Sequence, residues 1–339
     1  MRYSALLGTV LVLGAAAAMA DRGAQAQTAD PNSAPNPYHI DNGWAPQLPA
    51  GRKLGAAIGI SVDRDGKSIW VYERCGGDTC EGSNLDPIFK LAPDGKVLAN
   101  FGGGKVNWPH GFTVDRDDNV WVTDGRGGNG KGHDVIKFSP DGKVLLTLGK
   151  PGTAGLADDE FNTPSDVHVG PNGDIFVADG HGLINKVVTN DRIVKLTKDG
   201  KFIKAWSKHG SASAELDTPH KLAIDSQNRL FVADRVNNRV QIFDLDGRLL
   251  TEWKQFGRPS DVAIDKNDMI YVADSQSTPS NNPGFKPGIR IGSIKDGKVT
   301  AFIPEPSVEA GAPEGIGVDD TGNVYAGWTA KMAVRRYVK

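Results

Sequence analysis

The chain repeats one phrase six times, and this repetition restricts the folds open to it more than any other feature. Each phrase holds two short runs of β-branched and aromatic residues around a polar turn, as in "PHGFTVDRDDNVWVTDGR". A third run, a turn that usually contains Asp-Gly and a fourth run follow. Asp-Gly favours hairpins because hairpin turns need a positive φ angle. The phrases begin at Ala57, Pro109, Pro164, Pro219, Pro259 and Pro313.

Six units of four antiparallel strands, with no useful helical periodicity, predict an all-β fold, a six-bladed β-propeller. We expect the propeller to occupy residues 51–339, with residues 27–50 as a lead-in. The sixth unit lacks a fourth strand, since the chain ends after "KMAVRRYVK". A segment near Tyr38–Pro49 could supply that strand, close the ring and protect the sheet edges.

The N-terminal residues are typical of an export signal. Arg2 precedes an apolar, alanine-rich run that is too short to suggest a membrane span, and "AQA" offers a cleavage site after Ala26. Residues 1–26 are therefore predicted to be a signal peptide, and the protein to be periplasmic or secreted. Export leads to an oxidising compartment, where we expect Cys75 and Cys80 to form a disulfide.

Charge gives little sign of a macromolecular partner. The formal net charge is −2, and acidic and basic residues are mixed along the chain without a basic stripe. This pattern disfavours nucleic-acid binding. We expect a monomer that does not span a membrane.

The second residue of each phrase, which follows a proline in five of the six, occupies an equivalent slot at the mouth of the central channel, where first strands begin. Blades two, four and six carry His, His and Glu in this slot, whereas blades one, three and five carry Ile, Ser and Ser. In blade order the slot residues are Ile58, His110, Ser165, His220, Ser260 and Glu314.

Alternate blades are about 120° apart in a six-bladed ring, so His110, His220 and Glu314 should converge on the axis. Two imidazoles and a carboxylate suit zinc and equally a ferrous ion, and three protein ligands leave a position open for catalysis. The sequence therefore predicts one divalent transition metal, zinc or iron. A lone histidine would instead be expected to bond a carbonyl, but the recurrence at two-blade intervals favours the metal.

A second set of polar residues follows the second strand of each blade and should lie at the same end of the channel. It comprises Arg74, Arg126, His181 and Arg235. Arginine binds carboxylate through two parallel hydrogen bonds, so these groups predict an anion pocket beside the metal. For Arg126 we expect the more ordinary role of bonding strand-end carbonyls or surface acids.

These residues resemble the NHL-repeat propellers, and within them the peptidyl-α-hydroxyglycine α-amidating lyases. The resemblance covers nearly the whole mature chain. Its most specific marks are "WPHGFTVD", "FVADGH", "TPHKLAID", "FVADRVNNRVQIFD" and "PEGIGVD".

The resemblance implies roles for individual residues. The family holds zinc with three histidines, of which His110 and His220 match two, while Glu314 replaces the third. His181 replaces the family's probable base, a tyrosine, and would take the proton. Arg74 and Arg235 match the two active-site arginines. A calcium site is disfavoured because Gly315 replaces the aspartate that the family uses for it.

The resemblance implies a metal-dependent lyase that cleaves a C–N or C–O bond at a hydroxyl-bearing carbon. The substrate would be a small molecule or a peptide terminus with a carboxylate. Two alternatives remain open at this point: a metal-dependent hydrolase of the lactonase type, and a non-catalytic periplasmic binding or scaffold propeller.

Overall fold

The computed structural model describes residues 30–339 apart from 182, 185–186 and 306–312. The predicted signal peptide lies outside the described residues. Every named element in the described part is a β-strand, and no helix there is long and apolar enough to cross a bilayer. Six four-stranded antiparallel sheets form the blades, which confirms the predicted six-bladed propeller.

Blades one to three each begin with a strand that lines the channel and end with one at the rim. Blade one consists of β2 (Ala57–Val62), β3 (Ile69–Glu73), β4 (Ile88–Leu91) and β5 (Val97–Phe101). Blade two consists of β6 (Pro109–Val114), β7 (Val120–Asp124), β8 (Asp134–Phe138) and β9 (Val144–Gly149). Blade three consists of β10 (Pro164–Val169), β11 (Ile175–Asp179), β14 (Arg192–Leu196) and β15 (Phe202–Trp206).

A short hairpin interrupts blade three between its second and third strands. Its strands are β12 (Leu183–Ile184) and β13 (Val187–Val188), and they pair only with each other.

Blades four to six repeat the same order, except that the last strand of blade six comes from the other end of the chain. Blade four consists of β16 (Pro219–Ile224), β17 (Arg229–Asp234), β18 (Arg239–Asp244) and β19 (Leu249–Trp253). Blade five consists of β20 (Pro259–Ile264), β21 (Met269–Asp274), β22 (Gly288–Ser293) and β23 (Val299–Pro304). Blade six consists of β24 (Pro313–Val318), β25 (Val324–Trp328), β26 (Ala333–Val338) and β1 (His39–Ile40).

The N-terminal lead-in supplies this last strand. His39 pairs with Val338 and Ile40 with Tyr337, in antiparallel register. Further along, Trp44 packs its ring 5.3 Å from the ring of Tyr325. The pairing covers the outer edge of β26, which would otherwise present unpaired backbone groups.

The hydrophobic core lies between the blades. Second strands such as β7 and β11 are buried along their whole length, whereas the rim strand β9 is largely exposed. One core cluster joins Trp121 and Val135 of blade two to Val167 and Val177 of blade three. Because each fully buried aliphatic or aromatic side chain contributes roughly 1.5–3 kcal/mol, these inter-blade contacts hold the ring rigid around its axis.

Blade one is tied near the channel mouth by a disulfide. Cys75 and Cys80 are bonded across a Cα–Cα distance of 5.1 Å, which confirms the predicted disulfide. The bond closes the loop that follows Arg74, and so it restrains the backbone next to that side chain.

Candidate metal centre

A β-bulge at the start of each first strand turns the slot residue toward the axis. In blade two the register steps from Pro109 to Phe112, and in blade four from Pro219 to Leu222. His110 and His220 lie inside these two bulges. A bulge bends the strand and re-aims a side chain, so the repeat itself presents both imidazoles at the channel mouth.

Three imidazoles meet at this mouth. The ring centroids of His110 and His220 are 4.7 Å apart, and the ring of His181 lies 4.6 Å from the first and 5.1 Å from the second. One ligand atom from each of the three lies within 4.8 Å of the others. His181 reaches them from the end of β11, where its backbone N–H donates to Thr189 Oγ1 at 2.8 Å.

Backbone carbonyls of the next blade orient two of these rings. His110 Nδ1 donates to the carbonyl oxygen of Ser165, and His220 Nδ1 donates to that of Ser260, each at 2.6 Å. A carbonyl only accepts, so the proton of each neutral ring is on Nδ1 and its Nε2 carries a lone pair. This arrangement is how a metal-binding histidine is usually held.

Burial keeps the three rings neutral. It lowers the pKa of His110, His181 and His220 well below the ordinary histidine value. The guanidinium group of Arg235 lowers the pKa of His181 and of His220 further. Neutral imidazole is the form that binds a metal ion, so the electrostatics and the ring orientation favour the same state.

Glu314 completes the surroundings from the slot of blade six. Its Oε1 lies 3.2 Å from His220 Nε2 and 3.3 Å from Arg235 Nη1. His220 Nε2 is buried and makes no hydrogen bond. A lone pair therefore faces a carboxylate oxygen, and two acceptors at this distance repel each other unless a cation lies near both.

The two predicted arginines occupy different environments. Arg235 is buried, and its Nη2 lies 3.3 Å from His181 Nε2. Burial lowers the pKa of Arg235 to about 10, which leaves it charged at neutral pH. Arg74 donates from Nε to the carbonyl of Pro109 at 3.1 Å and forms an ion pair with Asp78 at 2.7 Å.

Sequence reasoning missed Trp108. Its indole lies 4.9 Å from the ring of His110 and 5.3 Å from that of His181, and the guanidinium groups of Arg74 and Arg126 lie over it at 4.2 and 3.8 Å. The available signal was the position before Pro109, where blades three and four carry threonine. Arg126 also differs from expectation, since it contacts this indole and bonds no carbonyl or acid among the described residues.

A second group with metal-ligand chemistry lies away from the axis. Ligand atoms of Asp191, His209 and Asp217 fall within 4.8 Å of one another. His209 Nδ1 is 2.7 Å from Asp191 Oδ2, and this contact raises the pKa of His209. An ordinary ion pair accounts for the arrangement of these side chains. Because they could also bind a metal ion, the group is removed by mutation when metal binding at the axis is measured.

Comparisons with known proteins agree with the repeat and the fold. A family model of the NHL repeat matches residues 216–243. The chain is 32% identical over 311 residues to NHL repeat-containing protein 3 of Homo sapiens, and the match covers 89% of this chain and 84% of the human protein.

An enzyme is also among the relatives. The chain is 34% identical over 237 residues to peptidyl-alpha-hydroxyglycine alpha-amidating lyase 1 of Drosophila melanogaster, a match that covers 61% of this chain and 40% of that protein. Among solved structures, a gluconolactonase from Xanthomonas campestris has a TM-score of 0.60 at 14% identity, covering 89% of this chain and 97% of that one. At this identity the structural likeness concerns the fold alone.

Proposed function

Because the chain belongs to the family of NHL repeat-containing proteins, and its relatives include an amidating lyase, we propose that it is a metal-dependent lyase. One observation carries the proposal: the buried lone pair of His220 Nε2 faces Glu314 Oε1 at 3.2 Å with no hydrogen bond. Arg235 balances the charge of Glu314, but the lone pair of His220 Nε2 has no partner, and the low pKa of His220 argues against a proton there. A divalent metal would bind this lone pair.

The three imidazoles are the best ligand set. His110, His181 and His220 each offer a ligand atom within 4.8 Å of the others, and carbonyls orient two of the rings. Three neutral nitrogen ligands suit zinc, and iron is the alternative. Glu314 then lies beside the metal, with His181 in the ligand position for which the spacing of the phrases had suggested Glu314.

The proposed substrate has a hydroxyl and a carboxylate on one carbon that is bonded to nitrogen. Arg235 and Arg74 bind the carboxylate through charge-assisted hydrogen bonds. The bound metal supplies Lewis acidity, which makes the hydroxyl easier to deprotonate. Glu314 accepts the hydroxyl proton, the C–N bond breaks as the aldehyde forms, and nitrogen gains a proton. An α-hydroxyglycine peptide would give an amide and glyoxylate.

We also propose that the protein acts after export, in the periplasm or outside the cell. The Cys75–Cys80 disulfide supports this location because such bonds persist in oxidising compartments.

The test measures metal content and glyoxylate release separately, in a His209→Ala background that silences the second group. We expect about one metal per chain, lost in His110→Ala, His181→Ala and His220→Ala but kept in the control His39→Ala. Glu314→Gln should keep its metal and lose activity by about 10²-fold or more, as expected for a proton acceptor.

Three results would count against this scheme. Stoichiometric metal in both His110→Ala and His220→Ala would exclude the axial centre. Metal loss in Glu314→Gln, with metal kept in His181→Ala, would mean that Glu314 is the third metal ligand and that His181 accepts the proton. Lactone hydrolysis without glyoxylate release would favour a hydrolase of the lactonase type.

A further inference from the structure

Two arginines share one indole at the rim of the metal centre. The guanidinium carbon of Arg126 lies 3.8 Å from the centroid of the Trp108 ring, and that of Arg74 lies 4.2 Å from it. Both cations are therefore held near each other by the same aromatic ring. Like charges repel at such range, so their proximity needs another source of favourable energy.

Arg74 and Arg126 differ in how their charge is balanced. Arg74 pairs with Asp78 at 2.7 Å and donates to a carbonyl. Arg126 is exposed, and among the residues that the structure describes its guanidinium makes no ion pair and no hydrogen bond. Five donors of this group are thus available to a ligand in the mouth.

The charges at the mouth add up to an excess of positive charge. Arg74, Arg126 and Arg235 contribute three positive charges, and Asp78 and Glu314 contribute two negative ones. The side chain of Asp78 is 75% exposed, so solvent weakens its effect. A divalent metal at the histidines would add two positive charges. A substrate with one carboxylate would balance the excess in the metal-free protein, but it would leave two positive charges unbalanced once the metal is bound.

We propose that Arg126 binds a second anionic group on the substrate, a carboxylate or a phosphate, distinct from the carboxylate held by Arg235. This inference rests on the proposed function and narrows its substrate class to hydroxy acids with at least two oxyanion groups. The Trp108 indole packs against the guanidinium group of Arg126 and so restricts its movement at the mouth.

Calorimetric titration tests the proposal with matched pairs of ligands at about 0.1 M salt. The first pair is 2-hydroxyglutarate and 2-hydroxyvalerate, which differ only in a terminal carboxylate or methyl group. The second pair is 3-phosphoglycerate and glycerate. In at least one pair we expect the ligand with the second anionic group to bind about tenfold more tightly than its partner, a difference of about 1.4 kcal/mol that we call the dianion preference.

Arg126→Gln should remove most of this preference while changing monoanion binding by less than about threefold. Arg248→Gln is the matched control, because it removes the same charge from a side chain that is 78% exposed on the rim hairpin after β18. A parent without a dianion preference, a preference unchanged in Arg126→Gln, or an equal loss in Arg248→Gln would each overturn the proposal.

The titrations are run on metal-free and zinc-loaded protein. If the proposed function fails, the protein will bind no metal at the axis and release no glyoxylate, but the dianion preference can still be read from the metal-free titration. The two hypotheses therefore fail in different measurements.

Discussion

Blades two and four each present one histidine to the axis, and each buries an aspartate at the end of its second strand. Only blade four pairs this aspartate with a cation. Asp234, at the end of β17, forms an ion pair with Arg239 at 2.7 Å. Asp124, at the equivalent end of β7, is instead paired in register with Asp134, another acid. Blade two thus buries two carboxylates where blade four buries a carboxylate and a guanidinium.

The aspartate has the same task in both blades. Asp124 accepts the backbone N–H groups of Asn107 and Trp108, each at 2.7 Å, just before Pro109. Asp234 accepts the N–H of Asp217 at 2.8 Å, just before Thr218 and its proline. Each carboxylate therefore fastens the chain that leads into a histidine slot.

The two blades differ in the energetic cost of burying this aspartate. Burial raises the pKa of Asp124 to about 6, and burial together with the charge of Asp124 raises that of Asp134 to about 7. One oxygen of Asp134 is buried without a hydrogen-bond partner. The histidine slots of the two blades are nonetheless alike. We infer that the bulge and the carbonyl of the next blade orient each ring, and that the ion pair contributes mainly to stability.

The largest expected effect comes from breaking the pair in blade four. Arg239→Met leaves Asp234 buried without its cation and should lower the free energy of unfolding by about 3–5 kcal/mol. Arg239 also donates to the carbonyls of Ala212 and Glu215, which lose their partner. Denaturant unfolding measures the loss, with Arg248→Met as the exposed control. A loss below about 1 kcal/mol would mean that the ion pair of blade four contributes little to stability, so that the two blades do not differ in this respect.

The opposite sign is expected in blade two. Asp134→Asn removes one of two buried carboxylates and should raise the free energy of unfolding by about 1–3 kcal/mol at pH 8. The folded-state pKa of Asp134, about 7, exceeds the ordinary value of 3.8, so the wild-type chain loses stability as pH rises between these values. The gain in the variant should therefore be complete above pH 7 and disappear near pH 4.

The control for this prediction is Asp158→Asn, which removes the same charge from an exposed side chain. Its stability should stay within about 0.5 kcal/mol of the parent at both pH values. A gain in Asp134→Asn that does not depend on pH would show that the carboxylate charge is not the cause.

Much of this comparison between blades could be predicted from the sequence, because the repeat assigns equivalent positions to each blade. Six equivalent phrases define six equivalent strand ends, so His110 and His220 could be assigned to one slot and to one end of the channel. The third strands of blades three and four begin with arginine, at Arg192 and Arg239, whereas that of blade two begins with an acid, Asp134.

Other features depend on side-chain packing that a repeat does not encode. The position of His181 within 5.1 Å of both slot rings depends on the loop after β11, where Thr189 accepts the backbone N–H of His181. The connections between second and third strands differ in length and sequence from blade to blade, so the repeat does not predict this loop. The contact of Trp108 with two arginines likewise joins blade one to blade two. Sequence spacing locates strand ends, but not which rings and cations meet above them.

The smallest expected effect tests whether the carbonyl of the next blade, and not its side chain, orients each ring. The Ser165 hydroxyl is placed to donate to the carbonyl of Ala178, at 3.1 Å, or to that of Pro219, whereas His110 bonds the backbone oxygen of Ser165. Ser165→Ala should lower the free energy of unfolding by about 0.5–1.5 kcal/mol, because one buried hydrogen bond is lost. Metal affinity, measured by competition with a chelator, should change by less than about threefold, since the backbone carbonyl remains. Ser260→Ala provides the same test beside His220. A tenfold loss of metal affinity in either variant would mean that the serine side chain holds the ring in place, and the similarity of the two slots would then depend on the residues between them.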